Sequence, residues 1–63
     1  MALTDSERRD TAAQLKKAEK LIREARQEVV GSDLPIQDTV LKIVAARVIE
    51  DAAIVQLIQD TID

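Results

Sequence analysis

The sequence predicts an all-α protein: an antiparallel hairpin of two helices that dimerises into a four-helix bundle. Three observations predict it. Helix-forming Ala, Leu, Glu, Gln, Lys and Arg dominate, and the single Gly and single Pro sit close together, at Gly31 and Pro35. The first half carries a narrow apolar stripe, Leu15, Ala18, Ile22, Ala25 and Val29, at alternating spacings of three and four residues. Residues 36–62 are apolar around most of a helix circumference, more than one neighbouring helix can cover.

The first helix is expected over about residues 4–30. Thr4 and Glu7 have the spacing of a capping box, with the Thr hydroxyl and the Glu carboxylate each accepting the other residue's amide N–H. Leu21 lies at the edge of the apolar stripe, and the opposite face is charged. Residues 1–12 have little apolar content and are expected to fray. Gly31 fits the left-handed residue that follows many helix ends, and the turn is placed at 31–34. So short a turn favours antiparallel neighbours.

The second helix is expected over about residues 35–62. Pro35 lacks an amide hydrogen and suits the first turn, and Asp33 suits the positive end of the helix dipole. Val and Ile are frequent here, but residues 40–49 show no alternation and no turn signal divides 36–62, which excludes strands. The acidic C-terminal end opposes the dipole, so the last turn should be weak.

This helix has two apolar stripes. Leu41, Val44, Val48, Val55, Ile58 and Ile62, widened by Ala45 and Ala52, form one. Ile36, Val40, Ile43 and Ile54 form the other, with Ile49 and Leu57 further round. The first stripe is assigned to helix 1 and the second to another chain, although the assignment is reversible. At ~25 cal/mol per Å2, leaving these side chains in water forgoes several kcal/mol of burial, so a patch of this extent marks an interface. A two-fold-related copy is the simplest cover. The expected interface residues are Ile36, Val40, Ile43, Val44, Arg47, Val48, Asp51, Ile54, Val55 and Ile58.

Arg47 and Asp51 are four residues apart, so they are neighbours on the helix, with Glu50 also in reach of Arg47. They form either an ion pair at the rim, worth little, or a pair between chains that fixes register. Arg47→Leu is expected to keep or raise thermal stability while loosening the choice of oligomer.

Composition narrows the function. A chain of 63 residues makes at most one small domain, here residues 1–63, with a marginal core. Cys, His, Phe, Tyr and Trp are all absent, which rules out disulfides and zinc sites built on sulfur or imidazole. Oligomerisation is the remaining remedy for a small core. Ser6 and Ser32 have no evident general base, Glu50 and Asp51 point about 100° apart on a helix, and one Gly makes no phosphate loop. Neither enzyme activity nor a cofactor is expected. Lys42, Arg47, Glu50, Asp51 and Asp60 interrupt the apolar half, so no membrane span is expected. Met1–Asp5 lacks the features of a signal peptide, and the protein is expected to be cytoplasmic.

The net charge of −3 is mild, but the bases gather on helix 1. Arg9, Lys16, Lys20 and Arg23 cluster on its solvent face, interspersed with Glu19, Glu24 and Glu28. The expected function is therefore that of a small helical interaction protein, a regulator or adaptor. It would act through an apolar helix face that meets its own copy, a dimer being favoured, or a larger protein partner. One alternative is a dimeric bundle whose basic face binds RNA or DNA phosphates. Another is a subunit that completes a larger helical complex.

Overall fold

The computed structural model describes residues 3–31 and 35–62. It is all-helical: α1 spans Asp5–Gly31 and α2 spans Ile36–Ile62, and the two pack against each other as a hairpin measuring 47 × 16 × 12 Å. Their antiparallel course is fixed by contacts at both ends. Leu3 near the start of α1 meets Asp60 near the end of α2, and Glu28 near the end of α1 meets Thr39 near the start of α2.

The capping box is formed as its spacing predicts. Glu7 N–H donates to the Thr4 hydroxyl at 3.1 Å, and Thr4 N–H donates to the Glu7 carboxylate at 3.0 Å. These bonds, the Thr4 N–H foremost, hold the Glu7 carboxyl below the usual carboxylate range. Ahead of α1, Leu3 N–H donates to the Asp60 carboxylate at 2.5 Å, which joins this end of the chain to the end of α2. Pro35 precedes α2 rather than lying in its first turn, and its carbonyl accepts from Asp38 N–H at 3.0 Å. Gly31 is the last residue of α1 and has no positive φ, so it is not the left-handed residue expected there. The turn residues 32–34, with Asp33, lie outside the described residues, as does Asp63.

The contact between the helices differs from the expected one. Its buried positions are Thr11, Ala18 and Ala25 on α1 and Thr39, Ala46 and Ala53 on α2, each set seven residues apart. In the antiparallel register these stack in three layers, Thr11 with Ala53, Ala18 with Ala46 and Ala25 with Thr39. Small side chains at every layer let two helices approach closely, so the interior holds little but methyl groups and backbone. Thr11 survives burial because its hydroxyl donates to the Glu7 carbonyl, and Thr39 because its hydroxyl donates to Glu28.

The expected assignment of the Leu41–Ile62 stripe to helix 1 is therefore overturned. Leu41, Val44, Val48, Val55 and Ile58 remain 51–64% exposed, and so does the other stripe of Ile36, Val40, Ile43 and Ile54, at 44–66%. Helix 1 lies on the alanines one position beyond Ala45 and Ala52. Ala45 and Ala52 themselves face solvent.

Candidate interaction surfaces

Two carboxylates lock the ends of the hairpin in a reciprocal way. Glu28 and Asp60 each stand near the C-terminal end of their own helix, where the dipole disfavours a negative charge. Each points instead to the start of the neighbouring helix. Asp60 accepts from Leu3 N–H and pairs with Arg8 at 3.8 Å. Glu28 accepts from the Thr39 hydroxyl at 2.9 Å and from the Lys42 ammonium, which also pairs with Glu24 at 3.4 Å. The Lys42 hydrogen bond, aided by the Thr39 hydroxyl and opposed by desolvation, holds the Glu28 carboxyl below its ordinary range. The same bond raises the Lys42 ammonium above its own.

Beyond these clasps the hairpin exposes two large apolar surfaces. The first runs along one side and is built from both helices. Ile22 of α1 and Glu50 of α2 line the same groove, which the charged Glu19, Arg23 and Arg26 of α1 border. Leu15 and Val29 lie one heptad either side of Ile22, and Ile43 and Leu57 one heptad either side of Glu50. Ile36 and Ile54 extend this side face on α2. Leu15 is half-buried, whereas Ile22, Ile43 and Leu57 are 41–44% exposed.

The second surface is the side of α2 that faces away from α1. Val55 lies nine residues from Ala46, or two and a half turns, and so points directly away from the helix contact. Val44 and Val48 stand on the same outer face, and Leu41 and Ile62 continue it. Val40, Arg47, Asp51 and Ile58 form the ridge between the outer face and the side face, and all are exposed.

The expected interface residues are therefore divided rather than brought together. Ile36, Ile43 and Ile54 belong to the side face, Val44, Val48 and Val55 to the outer face, and Val40, Arg47, Asp51 and Ile58 to the ridge. The α1 contribution, Leu15, Ile22 and Val29, was expected to be spent on α2 and is instead largely available for another chain. Thr39, Lys42, Glu28 and Asp60 also carry roles that apolar patterning did not reveal. The signal for Lys42 was that only it and Arg47 are cations on the apolar helix.

The basic residues Arg9, Lys16, Lys20 and Arg23 lie on the side of α1 away from α2, exposed, and none forms an ion pair among the described residues. Lys16, Lys20 and Arg23 share a shallow groove with Glu19. No described helix is long and apolar enough to cross a membrane. Comparisons with protein-family models, curated proteins and solved structures find no match to this chain.

Proposed function

We propose that the chain is a small non-enzymatic interaction protein, of the regulator or adaptor class, that works as a self-associated helical bundle. Two hairpins meet side face to side face and form four helices around one core. A single observation carries this. Each helix has a complete seam at spacings of three and four, of which the hairpin closes only the small half. On α1 the closed positions Thr11, Ala18 and Ala25 alternate with Leu15, Ile22 and Val29. On α2 Thr39, Ala46 and Ala53 alternate with Ile36, Ile43, Glu50 and Leu57. A second hairpin supplies the partner for the large half, and alternating small and large layers interdigitate at bundle spacing. Burial of one such Leu or Ile contributes ~1.5–3 kcal/mol, and the hairpin alone leaves most of that unrealised.

The mass in solution tests this directly. The assembled chain should be a dimer or larger, and Ile43→Asp, which places a charge on the side face, should lower the mass and the helix content together. If Ile43→Asp left both unchanged, the side face would not be the interface.

A second role is favoured by the position of Arg9, Lys16, Lys20 and Arg23. A bundle built on the side face leaves Arg9, Lys16 and Lys20 in solvent and presents them twice, while Arg23 lines the groove of that face beside Ile22. Phosphate binding there would weaken steeply with salt. A titration of RNA and DNA at ~50 mM salt decides it, since the absence of binding under those conditions removes nucleic acid as a partner.

A further inference from the structure

We propose that the outer face of α2 is a second self-docking site, on which α2 of a further copy lies antiparallel, with Arg47 of each chain paired to Asp51 of the other. This rests on the self-association reading only in taking another copy as the occupant. The surface is separate from the side face, because it points away from α1 and a bundle built on the side face does not cover it.

The outer face has its own seam, completed by Asp51 and Ile58 from the adjoining ridge. From Leu41 through Val44, Val48, Asp51, Val55 and Ile58 to Ile62, the spacing alternates three and four without interruption. Asp51 is its one polar position, and it falls at the middle. Both neighbours in the seam, Val48 and Val55, are 63% exposed. An apolar seam of this regularity, set opposite the contact already made, fits a helix with the same period.

Charge decides the identity and direction of that helix. A two-fold axis crossing α2 between Ile49 and Glu50 overlaps the two copies almost end to end. It sets Leu41 against Ile58, Val44 against Val55 and Val48 against Asp51. The same axis brings Arg47 level with the partner chain's copy of Asp51, on the same flank, once on each side of the axis. The seam is thus complementary to itself in shape and in charge, and the antiparallel dipoles agree. Parallel copies would instead set Asp51 against Asp51 within the seam and put the two Arg47 side chains on opposite flanks, so like charges meet at the seam. An unrelated partner would have to reproduce this pattern, whereas a second copy already carries it.

A mixing experiment separates pairing between chains from pairing within one helix. Arg47→Asp makes this site wholly acidic and Asp51→Arg makes it wholly basic. Both positions are exposed in the hairpin, so each variant should keep its helix content. The wild-type chain is expected to exceed the mass of a dimer. Each variant alone should associate about tenfold more weakly, or worse, and fall to a lower mass. Equimolar mixing should restore the wild-type mass, because every cross-chain pair is then Asp with Arg although no within-helix pair is. The proposal is overturned if either variant alone keeps the wild-type mass, or if the mixture fails to regain it. Ile43→Asp keeps this outcome distinct from that of the side face. A wild-type dimer split by Ile43→Asp but untouched by the charge variants would leave the four-helix bundle standing and remove the outer contact. A dimer split by the charge variants alone would do the reverse.

Discussion

Gly31 shows how one backbone angle reverses the expected effect of a substitution. As a left-handed residue beyond the helix it would resist a side chain, but as the last residue of α1 with no positive φ it does not. The space where a Cβ would stand is open. Gly31→Ala should therefore stabilise the protein by up to about 1 kcal/mol, read from urea unfolding, and a loss of stability would place Gly31 outside the helix after all. At the other end of α1, Thr4→Ala removes one half of a formed capping box and should cost about 1 kcal/mol in the same measurement. The Glu28–Lys42 contact gives a pH window. The depressed Glu28 carboxyl contributes stability above the ordinary Glu value of 4.5, lost as pH falls through its lower folded value. The raised Lys42 ammonium contributes below 10.5, lost as pH rises through its higher folded value. Unfolding curves across acid pH should thus fall less steeply for Glu28→Gln than for the wild-type chain.

At the scale of the helices, much of the fold was legible. The Gly31–Pro35 break, the capping box and the two long apolar-periodic segments specify a hairpin without ambiguity. The contact between the helices was not legible, and the reason is physical. Apolar patterning weights Leu, Ile and Val, the residues with most surface to bury, and so assigned them to the nearest helix. Close approach along an alanine seam brings two backbones together instead and leaves the large side chains at the margins. Ala46 and Ala53 differ by one position from Ala45 and Ala52, a step of 100° that separates a buried methyl from an exposed one. Ala46, wholly buried at 0% exposure, tests this contact. Ala46→Leu should force the helices apart and cost about 1–3 kcal/mol, whereas Ala45→Leu, in solvent on the hairpin, should cost far less. Equal effects at the two positions would mean that the helices meet on another face.

At the scale of the whole molecule, the buried side chains among the described residues are six small ones, and carboxylate clasps join the two ends of the hairpin. Among the described residues no large side chain is fully buried. The burial available to so small an interior is modest against the ordering of two 27-residue helices, so under the proposed self-association folding and association would be one process. That is why the candidate site was only half legible: the apolar excess of α2 was evident, but its division into a side face shared with α1 and a separate outer face depends on where α1 lies. Sedimentation equilibrium combined with circular dichroism over a wide concentration range tests this claim most directly. Mass and helix content should fall together on dilution, with a thermal midpoint that rises with concentration. A monomer that stays fully helical at every concentration would contradict it.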